Sequence, residues 1–351
     1  MWRRALVFGQ TTSVVGLVVH CDRRKQKQKE EERRGTLLAE NLCILERQHT
    51  NRPLVHISLE ELLDEVASPR LRLVLFGETH TDQAAQELER VLYERMTCRG
   101  RRVALGLESI ETDKRDAVRD FVSDELADVA ELFRIREDAT RYGPLVCLAK
   151  ASRNAIVAAN APRRLVSTVS RNGAAALDSL PPDDLALLPP LRVYAATPIT
   201  RAYHERLRDV WPTGSEERRS RLVAAQCLWD TAMAYAALDH LRAHPAEAIM
   251  LVLGRFHVEY YLGVCDQVEH MLDTDAAFSD VDLERDEFRI LVCIPLTEAT
   301  FRDQAKRGWH DLRHDRSLAN LADFVVFTRC ASSTDQEIDV ADHHHDVSLL
   351  L

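Results

Sequence analysis

Apolar residues recur along this chain in two alternating rhythms. Unbroken runs come first: "LRLVLF" (71–76), "RRVALGLES" (101–109), "NAIVAANAPR" (154–163), "IMLVLGRFH" (249–257), "FRILVCIPL" (288–296) and "ADFVVFT" (322–328). Their length suits strands buried on both faces. Between them stand stretches with apolar residues three and four apart, the period of an amphipathic helix. "ISLEELLDEVAS" (57–68) opens on Ser58 as N-cap with Glu61 as capping-box partner, and "TDQAAQELERVLYERM" (81–96) has Thr81 or Asp82 to cap it. "DKRDAVRDFV" (113–122) follows the second strand in the same way. Repetition of strand, loop and helix predicts an α/β fold, a mostly parallel sheet flanked by helices.

The rhythm changes between about 164 and 245. "PPDDLALLPPLR" (181–192) breaks it, and "RLVAAQCLWDTAMAYAALDHLRAH" (221–244) restores a long helix rich in Ala and Leu. This segment reads as an inserted helical subdomain, a cap over the sheet. Gln226 and Asp230 lie four apart and so share one helical face, either lining a pocket or merely joining helix packing.

Polar residues cluster where the strands end. In a parallel sheet all carboxyl ends share one edge, and ligands bind there near the switch in strand order. Glu78 and His80 follow the first of these strands, Glu108 ends the second, Asn160 and Arg163 stand after the third, and His257 follows the fourth. The motif Gly-x-x-His occurs twice, at Gly77–His80 and Gly254–His257. Glycine lets the chain turn sharply and approach a ligand closely. Two imidazoles with Glu78 and Glu108 suit a divalent ion such as Mn, Fe, Co or Zn, and a carboxylate beside metal-bound water is a general base for hydrolysis. Tyr260 and Tyr261, just after His257, either ligate ferric iron or pack with their hydroxyls exposed.

Composition narrows the partners. The chain has 351 residues, 46% apolar and 6% aromatic, with a formal charge of -10 and acids spread throughout. No basic face is built to neutralise phosphates, so nucleic acid is not an expected partner. The eight cysteines are scattered without CxxC spacing, which removes zinc ribbons and a disulfide framework. Cys147, Cys227 and Cys293 lie in apolar stretches and read as small buried hydrophobes.

"MWRRALVFGQTTSVVGLVVHCD" (1–22) has the layout of a signal or lipoprotein leader, but Gln10 to Ser13 interrupt it and His20 precedes the Cys. The expectation tilts to the cytoplasm, with export or membrane anchoring as the alternative. "DRRKQKQKEEERR" (22–34) is a solvated charged linker. The expected organisation is therefore a leader and linker outside the fold over 1–50, an α/β domain over 51–330 with its helical insertion at 164–245, and a disordered tail over 331–351 that includes "DHHHDVSLLL".

"VLFGETHTD", "VALGLES", "YGPLVCLAKASRNAIVAANAPRRLVSTV", "AQCLWDTAMAYAAL" and "LVLGRFHVEYYLGV", in this order, resemble the ChaN-type haem-binding, iron-regulated proteins, over roughly residues 52–328. That family's superfamily includes TIKI-type metalloproteases and erythromycin esterases. The resemblance implies a parallel α/β core with a helical subdomain. It also implies one of two activities: haem or iron bound between protomers of a homodimer and held through a Tyr, or hydrolysis of a peptide or ester bond by a divalent metal at the two Gly-x-x-His motifs and a Glu. Carried onto this chain, the motif positions are Glu78, His80, Glu108 and His257. "LGVCDQVE" replaces the Gly-x-P that family members usually carry after the second motif.

Overall fold

The computed structural model describes residues 35, 38–49, 52–196, 200–210, 214–281 and 283–330. Met1–Asn41 forms one unit, in which Asn41 donates its N–H to the Leu38 carbonyl at 2.9 Å, and Leu42–Leu351 forms another. The leader, the charged linker and the tail from residue 331 lie outside the described residues.

Eight strands make one sheet: β1 (Leu42–Glu46), β2 (Val55–Ile57), β3 (Leu73–Glu78), β4 (Val103–Glu111), β5 (Ile156–Asn160), β6 (Ala248–Gly254), β7 (Phe288–Thr297) and β8 (Phe324–Cys330). Their order is β2-β1-β8-β7-β3-β6-β4-β5. The six strands from β8 to β5 run parallel, while β1 pairs antiparallel with both β2 and β8. β3 and β6 are buried at every residue, as continuous apolar runs require in the middle of a covered sheet.

The helices of eight or more described residues are α1 (Leu59–Val66), α2 (Gln83–Met96), α3 (Arg115–Val122), α4 (Arg136–Ala151), α5 (Arg163–Asn172), α6 (Arg201–Val210), α7 (Glu216–Ala243), α8 (Val264–Thr274) and α9 (Glu298–Lys306). Ser58 and Glu61 form the expected capping box on α1, and Asp82 accepts from the N–H groups of Ala84 and Ala85 to cap α2. Each such cap contributes about 1 kcal/mol.

The sheet places the site by its connections. From β3 the chain crosses over β6 to β4, whereas from β6 it crosses back over β3 to β7. Adjacent strands whose chains depart in opposite directions leave a crevice at their carboxyl ends. The two Gly-x-x-His motifs sit on this pair.

The structure differs from the sequence pattern in four places. The fold begins earlier than residue 51, because Leu42–Glu46 pairs with β8 from Leu42 opposite Thr328 to Glu46 opposite Phe324. β4 does not stop at Glu108 but runs on to Glu111 through an irregularity after Leu107, which leaves Glu108 on a bulge. The long helix of the expected cap, α7, packs along β5 and β6 as one face of the sheet, because the β5-to-β6 connection must cover that face. Cys147 is exposed rather than buried, since α4 turns Tyr142, Leu145, Val146 and Ala149 inward; Cys227 and Cys293 are buried as expected.

Candidate functional site

Gly77 and Gly254 interlock the two motifs. A Cβ on Gly77 would lie 2.6 Å from Val258 Cγ2 and 2.9 Å from Arg255 Cα, so only glycine lets the turn carrying His257 lie against β3. A Cβ on Gly254 would lie 3.2 Å from His80 Nε2 and 3.5 Å from Glu108 Oε2. Each glycine makes room for the residues that follow the other strand. His80, Glu108 and His257, far apart in sequence, therefore share one mouth.

The side chains close into two acid–imidazole pairs. In the first, His80 Nδ1 lies 3.0 Å from Glu78 Oε1 and 3.0 Å from the Tyr142 hydroxyl, which itself donates to Glu78. Glu89, from α2, stands fully buried behind Glu78; burial, then the Glu78 charge, pushes its carboxyl well above the usual range. Burial and that neighbouring charge both favour the protonated form of Glu89. Burial, and then Glu78 and Glu89, likewise push Tyr142 well above the ordinary phenol range, so it stays a hydroxyl.

In the second pair, His257 Nδ1 meets Asp230 Oδ1 at 2.5 Å and Nε2 meets Glu108 Oε1 at 3.4 Å. Tyr203 on α6 donates to the other oxygen of Asp230, and Glu108 Oε2 accepts the Gly254 N–H at 2.6 Å. The result is a chain of contacts from Tyr203 to Gly254. Burial alone would lower the His257 pKa, but the Glu108 and Asp230 carboxylates outweigh it and raise it to about 10. His257 is an imidazolium at neutral pH, held as the carboxylate of a catalytic triad holds its histidine. Gln226 lies beside the same ring, its Nε2 3.2 Å from Nδ1.

A cavity of about 480 Å³ opens over these groups, lined by Glu78, His80, Glu108, Tyr142, Gln226 and His257 at the centre and by Asn160, Arg163 and Trp229 to one side. Glu78 Oε2, Asn160 Oδ1 and Gln226 Oε1 are buried there without a hydrogen-bond partner.

Most sequence candidates converge here. Glu78, His80, Glu108, Asn160, Arg163, Gln226 and His257 line the cavity, and Asp230 stands directly behind His257. Tyr260 and Tyr261 do not line it. Both adopt left-handed backbone, φ 62° and 60°, which swings their rings away: Tyr260 lies 44% exposed under Arg206, and Tyr261 donates to Asp323 at 3.0 Å with Arg47 stacked on its ring. Among the described residues no group of three or more His, Cys, Asp or Glu side chains is set to hold a metal.

Sequence reasoning missed Tyr142, Glu89 and Tyr203. Glu89 had a signal: it falls on the apolar stripe of Ala85, Leu88, Leu92 and Met96, where an acid is buried and must be neutral or paired. Tyr142 and Tyr203 had none, because only the packing of distant helices brings them to Glu78 and Asp230.

Haem is the group that chemistry of this kind can be tested against. An imidazole whose Nδ1 faces a carboxylate is the usual setting of an iron-bound histidine, so His80 would suit as a ligand to haem iron.

Comparison with known proteins agrees with the fold. ChaN of Campylobacter jejuni, whose structure is described as showing cofacial heme binding, aligns over 83% of this chain and 98% of its own at 14% identity, with a TM-score of 0.54. A mutant of the erythromycin esterase EreC in its open conformation aligns over 68% of this chain and 73% of its own at 12% identity and a TM-score of 0.36. A succinoglycan biosynthesis protein aligns over 85% of this chain and 96% of its own at 10% identity and a TM-score of 0.43. No curated protein matches. The sequence profile described as "Haem-binding uptake, Tiki superfamily, ChaN" matches residues 66–268, more than half of the chain. This chain belongs to that family.

Proposed function

We propose that the chain binds haem in the cavity at the carboxyl ends of its parallel strands, with His80 as the imidazole that meets the iron. The setting of His80 carries the reading. Its ring lines the cavity, and its Nδ1 is fixed at 3.0 Å by the Glu78 carboxylate and at 3.0 Å by the Tyr142 hydroxyl. A carboxylate at Nδ1 fixes the tautomer that leaves Nε2 as the lone-pair atom and makes the ring a stronger ligand. Haem would supply the iron that accepts this nitrogen. Family membership supports the haem-binding part of this reading.

Glu78 has a second task in this arrangement. It accepts from Tyr142 while the buried Glu89 stands behind it, so the carboxylate that orients His80 is itself held in place. Substitution at Glu78 therefore acts on the ligand through the ring.

Titration of the purified chain with haemin tests the proposal. A Soret shift saturating with the wild type, weakened about 10- to 100-fold in Glu78→Gln and lost in His80→Ala, is the expected result. An unchanged spectrum in the wild type rejects it. Ester or peptide cleavage that is lost with chelator and in Glu108→Gln would then move the same acids and imidazoles to the reading of a metal-dependent hydrolase.

A further inference from the structure

The edge of the sheet opposite the cavity carries a second cluster of ligating side chains. α7 finishes at Ala243 with His244 as its C-cap, and a short turn leads into Ala248, the amino end of the strand whose carboxyl end is Gly254. Within that turn the Glu247 N–H donates to the His244 carbonyl at 2.9 Å, which folds Glu247 back over the end of the helix. Three donors gather there: the imidazoles of His240 and His244, four apart along the chain, and the Glu247 carboxylate.

Their geometry is not that of an ordinary ion pair. His240 is 8% exposed and its Nε2 lies 3.2 Å from Glu247 Oε2, yet this nitrogen has no hydrogen-bond partner. A buried polar atom in that state is costly. Two ligand atoms each about 2.1 Å from one zinc ion, at a tetrahedral angle, stand roughly 3.4 Å apart, close to the spacing of this pair. Arg102 Nε lies 3.5 Å from the other oxygen of Glu247 and holds the carboxylate with Oε2 turned to the ring.

Electrostatics point the same way. The C-terminus of this 28-residue helix is the negative end of its dipole and favours a cation. Burial, then the neighbouring His244, lowers the His240 pKa from its ordinary value against the opposing pull of Glu247, which keeps the ring in the neutral form that ligates a metal. The His244 ring centroid lies 4.7 Å from that of His240, and its side chain is exposed, so it can change rotamer. Among the described residues no three donors already surround one point, and turning His244 is the movement that brings a third to the pair.

We propose that His240, His244 and Glu247 form a zinc site that clasps the end of α7 to the start of β6. Two nitrogens and one oxygen leave the fourth position of a tetrahedral ion to water, and neutral imidazole with carboxylate suits zinc. The site is independent of haem, because it lies at the amino end of β6 and the cavity at its carboxyl end. An ion held here and not by the unfolded chain raises thermal stability by mass action.

Zinc titration of the full chain tests this, in a background of His343→Ala, His344→Ala and His345→Ala that removes the histidines of the tail. One equivalent of zinc should bind by calorimetry and raise the melting temperature. Glu247→Gln and His244→Ala should each weaken that binding at least about tenfold and abolish the rise; His244 is exposed, so its variant keeps the fold. His310→Ala, which breaks the other pair of neighbouring imidazoles, His310 and His314, should leave both readings unchanged. Absence of zinc binding by the background chain overturns the site, as does binding of undiminished strength in Glu247→Gln or in His244→Ala, or its loss in His310→Ala.

Discussion

His257 shows how much a single residue takes from its neighbours. An imidazole in an unfolded chain titrates near 6.5, and in the fold the Glu108 and Asp230 carboxylates outweigh burial and raise it to about 10. A raised pKa means that the proton stabilises the folded chain in full below about 6.5, and that this contribution is lost as pH rises through about 10. Asp230→Asn removes the nearer charge. The variant should be destabilised by about 3 kcal/mol at neutral pH, as for a broken buried pair, with the deficit shrinking between pH 7 and 10 as the wild type loses its proton. Urea unfolding at several pH values measures this; a deficit independent of pH would show that His257 is neutral. At this scale the sequence was informative. His80, Glu108 and His257 are legible because strand ends in a parallel sheet share an edge, and Gln226 and Asp230 because i,i+4 spacing turns both to one ring. Tyr203 and Tyr142 were not, since each reaches its carboxylate across helices that no local pattern relates.

Among elements, the repeated Gly-x-x-His is a packing device before it is a chemical one. The two glycines look equivalent in sequence, and the structure makes them different. A Cβ at Gly77 meets backbone, Arg255 Cα at 2.9 Å, as well as Val258 Cγ2 at 2.6 Å, so the turn between β6 and His257 must move. A Cβ at Gly254 meets the ends of two side chains, His80 at 3.2 Å and Glu108 at 3.5 Å, which can give way. Gly77→Ala should therefore cost about 1–3 kcal/mol of stability, the usual range for overpacking, and Gly254→Ala less. Function should rank them the other way if His80 holds the ligand, because Gly254→Ala displaces its ring while the fold survives. Thermal unfolding beside a haemin titration of both variants separates the two effects, and a Gly254→Ala variant with wild-type affinity would show that His80 is not fixed by this contact. Gly263 adds a third glycine with φ 62°, where a Cβ would lie 2.5 Å from the His257 carbonyl oxygen, so the turn after the second motif is built around it. The bulge that offers Glu108 to the cavity was illegible for a related reason, since it depends on how β4 meets β5 and not on β4 alone.

For the molecule as a whole, the sheet's edge sets where the domain begins. The six parallel strands and their helices announce themselves in sequence because a strand buried on both faces must be apolar throughout. β1, with the run "LCILE" at Leu42–Glu46, follows a long charged stretch with no helix after it, so it carries none of the strand-helix rhythm that identified the others. Its antiparallel pairing is nonetheless what covers β8: Cys43, Ile44 and Leu45 are buried, and Ile44 stands opposite Val326. A chain beginning at residue 51, where the apolar pattern alone would start the domain, loses this strand and leaves the backbone of β8 and its apolar side chains as an open edge. Open, apolar edges pair with other chains. That truncation should be largely insoluble or should melt well below the full chain, while one beginning at residue 42 keeps the β1–β8 ladder and should match it. Soluble yield and thermal unfolding of the two truncations decide the point. Equal behaviour of both would mean that β1 is dispensable. A loss confined to the shorter chain would show that β1 holds this edge of the sheet, which is distinct from the ends of β3, β6, β4 and β5 where the cavity lies.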